Sequence, residues 1–175
     1  MQHKLHLYYG DGKGKTTCGM GLALRFLGHG KRVLVAQFMK DGTSGELDAL
    51  RQFETATIFD IKPVTGFLAQ MEEEERQHVR QSQTEEALRL TDVIKEAKPD
   101  LILLDELALA CAMDVVPANV ADALIHAVLA CGETVVTGYA TPAWLKDRAD
   151  YVTHMTAEKH PYQTEGLAAR ECVEW

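Results

Sequence analysis

The segment at residues 10–17, Gly-Asp-Gly-Lys-Gly-Lys-Thr-Thr, constrains the fold of this chain more than any other feature. It follows the segment LHLYY at 5–9, which predicts a strand, and precedes a pattern at 16–27 that predicts a helix. Glycines let the backbone approach a phosphate closely, and the N–H groups at a helix start can bind phosphate oxygens. The segment therefore predicts a phosphate-binding loop (P-loop) and, with it, an α/β fold.

The side chains of this loop have distinct expected roles. Lys15 supplies positive charge to the phosphates, and the Thr16 hydroxyl can bind Mg²⁺. The standard pattern G-x-x-x-x-G-K-[ST] has its first glycine where this chain has Tyr9, so the loop is a variant. The alternative is a glycine-rich strand–helix turn that binds no ligand. The expected ATP-binding residues are Gly10, Asp11, Gly12, Lys13, Gly14, Lys15, Thr16 and Thr17.

A second element of the expected site is a strand that ends in carboxylates. Four apolar residues at 101–104 are followed by Asp105 and Glu106. Mg²⁺ prefers oxygen ligands and usually bridges carboxylates and phosphates. We therefore expect Thr16 and Asp105 or Glu106 to hold the metal, directly or through water.

Apolar strands and helical patterns alternate along the rest of the chain. Alternation of this kind predicts a mostly parallel central sheet with helices on both faces. Residues 1–175 are expected to form a single domain, because a chain of 175 residues is of ordinary domain length. The other predicted strands span 32–38, 57–61, 134–137 and 151–155, and the other predicted helices span 46–53, about 69–98, 119–130 and one that begins at Thr141-Pro142 with Thr141 as N-cap.

Composition excludes several classes of function. A formal net charge of −8 disfavours a non-specific nucleic-acid binder, which needs a basic surface. No apolar run approaches the ~20 residues that span a membrane, and residues 1–6 lack the apolar stretch of a signal peptide, so we expect a cytoplasmic protein. The cysteines have no metal-binding spacing; they are Cys18, Cys111, Cys131 and Cys172.

A P-loop indicates the triphosphate and leaves the reaction open, because kinases, ATPases, GTPases and some transferases share it. The chain has no N-K-x-D motif of the kind that reads guanine and no arginine-rich lid like that of nucleoside kinases. Further motifs are needed to choose among these reactions.

Several motifs along the chain, in order, resemble the P-loop ATP:corrinoid adenosyltransferases that act on cob(I)alamin or cob(I)yrinic acid a,c-diamide. The matching segments are GDGKGKTT at 10–17, GHGKRVLVAQFMK at 28–40, Gly45-Glu46, LILLDEL at 101–107, VVTG at 135–138 and EKHPY at 158–162. The resemblance implies an alkyl transferase that moves the 5′-deoxyadenosyl group of ATP to Co(I) of a corrinoid and releases triphosphate, in adenosylcobalamin biosynthesis or salvage.

The same resemblance implies a RecA-like three-layer fold, a homodimer, and Mg²⁺ or Mn²⁺ as cofactor. It also implies an electron donor such as a flavodoxin or reduced flavin, and ATP bound in the polarity opposite to that of ordinary P-loop enzymes. Because Co(I) is itself a strong nucleophile, no protein nucleophile is required. The protein has to position C5′ and stabilise the leaving triphosphate, which Lys13, Lys15 and the loop amides can do.

The resemblance also implies roles outside the loop. Phe67 matches a phenylalanine that closes on the lower face of the corrin, displaces the axial ligand and makes Co(II) reducible, so we expect it to be catalytic with Lys13 and Lys15. Contacts with nucleotide or corrinoid are expected from Lys40, Glu46, Phe67, Lys159 and His160. The alternatives are a core aromatic for Phe67, a solvated loop at 41–45, and a solvated Lys159 beside a simple His160-Pro161 turn.

Two departures from the family pattern keep other functions open. Ala69 stands where many members have tryptophan, and Tyr139 stands where they have arginine. One alternative is a P-loop small-molecule kinase or ATPase, which would release ADP. Another is a catalytically impaired relative that binds ATP and forms no carbon–cobalt bond.

Overall fold

A computed structural model describes residues 3–66 and 68–173 as alternating strands and helices. The strands are β1 (Leu5–Tyr9), β2 (Val33–Gln37), β3 (Ala56–Phe59), β4 (Leu101–Asp105), β5 (Glu133–Gly138) and β6 (Tyr151–His154). The helices are α1 (Lys15–Gly28), α2 (Gly45–Leu50), α3 (Glu73–Ala97), α4 (Leu107–Ala112), α5 (Ala118–Cys131), α6 (Ala143–Arg148) and α7 (Pro161–Glu165), with a 3₁₀ turn at Leu68–Gln70.

The strands form a 6-stranded sheet in the order β3-β2-β4-β5-β1-β6, and every neighbouring pair is parallel. The predicted parallel α/β sheet is therefore confirmed. Strands β2 and β4 are buried along their whole length, as their apolar sequences require. Because all the strands run the same way, β1, β2, β4 and β5 end at one edge of the sheet, where ligands bind in folds of this type.

Helices cover both faces of the sheet and produce three layers. On one face the helices α1 and α2 pack on the sheet through a cluster that includes Met20, Ala23, Leu27, Leu47 and Leu50. On the other face a larger cluster contains residues of α3, α4, α5 and α6, among them Leu90, Ile94, Leu107, Leu124 and Leu145. This arrangement agrees with a P-loop NTPase-like fold.

Helix α3 starts later than the pattern predicts. Its N-cap is Glu72, whose side chain accepts from the third backbone N–H, while the Glu75 side chain accepts from the Glu72 N–H at 3.2 Å. This capping box ends the irregular segment before it and starts the helix at Glu73 rather than near 69. The polar outer surface of α3 is exposed to solvent. None of the helices within residues 3–66 and 68–173 is long and apolar enough to cross a membrane.

Two helical details differ from the expectations. Helix α6 begins at Ala143 with Pro142 as N-cap, so the prediction that Thr141 caps it is wrong. Pro142 has the extended conformation of a cap (φ −70°, ψ 155°), which moves the helix start one residue on. The short helix α4 was not predicted, because its six-residue sequence LALACA is uniformly apolar and too short to show a helical repeat.

Candidate functional site

The P-loop joins β1 to α1 and packs tightly on the segment after β6. The Gly10 N–H donates to the Gly138 carbonyl at 3.2 Å, and the Gly12 N–H donates to the Met155 carbonyl at 2.8 Å. Gly10 has φ +124°, and a Cβ at this position would lie 2.2 Å from the Met155 oxygen. A side chain cannot fit there, so this loop needs its glycine at position 10 whatever stands at position 9.

Helix α1 points its N-terminus into the site. Gly14 is its N-cap in a left-handed conformation (φ 106°), with no side-chain cap and no acidic residue in the first turn. The first backbone N–H groups of this 14-residue helix are therefore not bound by a local carboxylate or hydroxyl. Such a helix start attracts an anion through its N–H groups and its dipole.

The Lys15 side chain folds back onto the P-loop. Its Nζ donates to the Gly12 carbonyl at 2.8 Å and lies 5.9 Å from the centre of the Tyr139 ring. Burial lowers the pKa of Lys15, and the nearby Glu106, Asp11 and Asp105 carboxylates only partly oppose this. A phosphate bound beside Lys15 would restore the lost stabilisation of its charge.

Asp105, at the end of β4, is fully buried and contacts four side chains. Thr16 Oγ1 lies 3.0 and 3.2 Å from its two carboxylate oxygens, so the P-loop and β4 meet here although 89 residues separate them. Gln37 Nε2 donates to Oδ2 at 3.0 Å, and Thr137 Oγ1 donates to Oδ1 at 2.5 Å. Lys40 Nζ completes the cluster at 2.7 Å from Oδ2.

The neighbouring carboxylate, Glu106, is held in an unusual backbone conformation. Its φ is 58°, and its N–H donates to Thr137 Oγ1 at 2.9 Å. Burial, and then the charge of Asp105, raises the pKa of Glu106, while Lys40 and Lys15 act in the opposite direction. Its Oε2 atom is buried without a hydrogen-bond partner among the described residues. A buried carboxylate oxygen in this state is suited to accept a cation or a donor from a ligand.

The P-loop, Lys40 and Glu106 face a common cleft of about 790 Å³, a volume within the range of small-molecule sites. The predicted residues Lys40, Glu46, Glu106 and His160 line the cleft together with the P-loop. Residues from five separate parts of the chain thus meet at one edge of the sheet. The remaining lining residues are Ser44, Gly45, Ala49, Cys172 and Val173.

The polar groups of the cleft suit a magnesium ion held jointly with phosphates. Among residues 3–66 and 68–173, no three or more His, Cys, Asp or Glu side chains converge as a metal site. The available protein ligands are the Thr16 hydroxyl and the carboxylates of Asp105 and Glu106. Mg²⁺ commonly takes only one or two carboxylates and fills its other positions with phosphate oxygens and water.

Other predicted residues have different positions. Lys159 is exposed and lies outside the main cleft, in an adjoining cavity lined also by Lys13, His160 and Tyr162. His160-Pro161 is the start of helix α7 rather than a simple turn, because His160 Nδ1 accepts from the Tyr162 N–H at 3.3 Å. Phe67 lies outside the described residues.

Neither of the two departures from the family pattern lines the main cleft, although the Tyr139 ring lies 5.9 Å from Lys15 Nζ. Ala69 is exposed and lines a small cavity of about 120 Å³ beside Met113. Tyr139 is 59% exposed and lines a separate cavity with Tyr9, Lys146 and His154. Neither residue therefore interrupts the cluster around Asp105.

The sequence interpretation missed Gln37, Thr137 and the contact of Lys13 with the C-terminal segment. Gln37 and Thr137 are polar residues near the ends of apolar strands, the same feature that drew attention to Asp105. That feature could have identified both. Lys13 Nζ donates to the Val173 carbonyl, and no local pattern predicts this contact across 160 residues.

Glu106→Gln is expected to stabilise the protein by about 1 kcal/mol at neutral pH, because the variant removes a charge that burial and the neighbouring Asp105 disfavour. The pKa of Glu106 in the folded protein is raised above its ordinary value of 4.5. The wild-type protein therefore loses stability as the pH rises from that ordinary value to the raised one. The extra stability of the variant over the wild type should therefore grow as the pH rises above about 4.5 and vanish below that pH. Urea unfolding of both proteins at several pH values tests this. A variant less stable than wild type at pH 7 would contradict it.

Comparison with known proteins gives consistent matches along the chain. Residues 1–175 match the family described as ATP:corrinoid adenosyltransferase BtuR/CobO/CobP. A corrinoid adenosyltransferase of Pseudomonas aeruginosa is 32% identical over 174 residues, covering 98% of this chain and 83% of the relative. A corrinoid adenosyltransferase of Escherichia coli K12 is 30% identical over 177 residues, covering 97% and 84%. Corrinoid adenosyltransferase CobA of Salmonella typhimurium is 28% identical over 175 residues, with the same coverage.

Proposed function

The chain belongs to the ATP:corrinoid adenosyltransferase family, and we propose that its P-loop cleft transfers the 5′-deoxyadenosyl group of ATP to Co(I) of a corrinoid. The reaction forms a carbon–cobalt bond, breaks the C5′–oxygen bond and releases triphosphate. The implied role is adenosylcobalamin biosynthesis or salvage. The observation that carries the proposal is a match along the whole chain to one family, in a protein whose P-loop, Thr16 and acidic strand end meet in one cleft.

The triphosphate is proposed to lie on the P-loop at the start of α1. The backbone N–H groups of the loop, Lys13 and Lys15 supply positive charge there, and Thr17 belongs to the same cleft wall. The oxygen on C5′ leaves with a growing negative charge, so groups that stabilise this charge lower the barrier. Because Co(I) supplies the electron pair, the protein needs no nucleophile of its own and acts by positioning.

A divalent metal, Mg²⁺ or Mn²⁺, is proposed to be held by Thr16, Asp105 and Glu106 together with phosphate oxygens. It would neutralise part of the charge on the triphosphate. Two observations support these ligands: the contact between Thr16 and Asp105, and the Oε2 atom of Glu106, which has no hydrogen-bond partner in the part of the chain that the structure describes. Binding of a cation would satisfy that oxygen.

Contacts to the adenosyl group or the corrinoid are proposed for Lys40, Glu46 and His160, because these side chains line the cleft beside the P-loop. Lys159 is a weaker candidate, since it faces the adjoining cavity. The resemblance to the family supports three further proposals: a homodimer, a single catalytic domain over residues 1–175, and electrons supplied by a flavodoxin or reduced flavin. A cytoplasmic location would suit a reaction that uses ATP and an easily oxidised Co(I) centre.

An anaerobic assay tests the reaction itself. The protein is incubated with MgATP and chemically reduced Co(I) cobalamin, and light-labile adenosylcobalamin and free triphosphate are both measured. We expect equal amounts of the two products. Formation of ADP instead would indicate a kinase or ATPase. ATP binding without either product, with complete and incomplete corrinoids alike, would indicate an impaired relative.

Phe67→Ala is expected to reduce turnover that starts from Co(II) corrinoid far more than turnover from preformed Co(I). The reason is the proposed role of this aromatic in displacing the axial ligand, which matters before reduction and not after it. The measurement is adenosylcobalamin formation from each starting state. Phe53→Ala, which changes a partly exposed phenylalanine that does not line the cleft, is the control. Equal losses from Co(II) and Co(I) would rule out the axial-displacement role.

A further inference from the structure

Lys40 follows β2 and reaches into the cleft from a firmly held backbone. The preceding residue, Met39, has φ 56°, and its N–H donates to Gln83 Oε1 at 3.2 Å. The Lys40 carbonyl accepts from the Val64 N–H at 2.9 Å. The main chain is thus fixed on both sides, while the flexible four-carbon side chain, 25% exposed, can adopt other positions in the cleft.

The Lys40 ammonium lies between the P-loop and the acidic strand end. Its Nζ is 2.7 Å from Asp105 Oδ2 and 3.2 Å from Thr16 Oγ1. These are the same two side chains that are proposed to hold a divalent metal. A metal bound to them would lie about 2.0–2.1 Å from each oxygen, so it would need the space that the ammonium fills.

Charge explains why the ammonium lies there. Asp105 is fully buried, and a buried carboxylate is costly unless a cation pairs with it. The hydroxyl and amide donors of Thr16, Gln37 and Thr137 supply hydrogen bonds without charge. Lys40 supplies the charge, and a metal ion in the same position would do so equally well.

We infer that Lys40 occupies the divalent-cation position of the nucleotide-free protein, and that the metal–ATP complex displaces it toward the phosphates. This inference rests on the proposed function, because it takes the cleft as the site of metal-bound ATP. Exchange of one cation for another leaves Asp105 paired in both states. Lys40 is then a positioning residue that keeps the site closed to free metal and becomes available to the triphosphate when metal and nucleotide arrive together.

The inference predicts how tightly the protein binds metal without nucleotide. Lys40→Gln removes the charge and leaves an amide that can still donate to Asp105 and Thr16. Binding of Mn²⁺ alone, followed by electron paramagnetic resonance, is expected to be about tenfold tighter or more in this variant than in wild type, because the competing cation is gone. Lys95→Gln changes the same charge at an exposed ion pair on α3 and should bind Mn²⁺ as wild type does.

Lys40→Met and thermal unfolding of each variant separate loss of the fold from loss of the ammonium. Tighter Mn²⁺ binding by either folded Lys40 variant supports the exchange. Wild-type affinity, or weaker, in both variants overturns it, whatever the outcome of the corrinoid assay. If the wild-type protein loaded with ATP fails to bind Mn²⁺, the metal site of the proposed function fails as well, and that result is seen without any variant.

Discussion

Replacement of Lys15 by alanine is expected to weaken ATP binding about 100-fold or more, because a charge-assisted contact to phosphate is lost from a partly buried site. Burial already lowers the pKa of this lysine, so its ammonium is poorly solvated and interacts strongly with an anion. Isothermal titration with ATP in the presence of Mg²⁺ measures the loss. Adenosyl transfer should fall at least in parallel, since the same charge would stabilise the leaving triphosphate.

The control for this variant is Lys31→Ala. Lys31 is exposed after the end of α1 and does not line the cleft, so the same loss of one positive charge should leave ATP affinity unchanged. Retained affinity in Lys15→Ala would show that the triphosphate does not bind on this loop. Equal losses in both variants would point to the general charge of the protein instead of a defined phosphate site.

Asp105→Ala is expected to have two large effects. Removal of the carboxylate should lower the free energy of unfolding by about 2–4 kcal/mol, because the donors of Gln37, Thr137 and Thr16 lose their buried acceptor. It should also reduce metal-dependent adenosyl transfer by about 100-fold or more, since a metal ligand and the partner of Thr16 disappear together. Urea unfolding and the anaerobic transfer assay measure the two effects separately.

Asp92→Ala provides the matched control, because Asp92 forms an exposed ion pair with Lys95 on α3. Its effect on stability should stay within about 0.5 kcal/mol. Asp105→Asn adds a second test, because asparagine retains the size of the side chain and loses its charge. If Asp105→Asn transfers the adenosyl group at the wild-type rate, the carboxylate takes no part in metal binding.

The fold could be predicted where a local pattern determines the structure. The strand Leu5–Tyr9 has the predicted bounds because it ends at Gly10, whose positive φ does not continue the strand geometry. The start of α3 at Glu73 was misplaced because a capping box in a run of glutamates looks like any solvated acidic stretch. Helix α4 was missed because a buried helix of six residues and an extension of a buried strand share the same apolar composition.

The candidate site could be predicted in outline for a similar reason. Residues at the ends of parallel strands meet at one edge of the sheet, so a P-loop after β1 and carboxylates after β4 were expected to approach each other. The contacts of Gln37 and Thr137 with Asp105 depend on which strands are neighbours and how their residues align. Strand order is a property of the whole sheet, and no window of the sequence contains it.

The sequence by itself determined the P-loop, the alternating parallel α/β fold and the membership of the family, because each depends on residue types at fixed spacing. Only the tertiary structure decided that Lys40 pairs with buried Asp105 and that Glu106 has an oxygen without a hydrogen-bond partner among the described residues. It also decided that Lys159 lines the adjoining cavity and not the main cleft. The physical reason is that burial, charge pairing and the free space around a side chain are set by segments far apart in the chain.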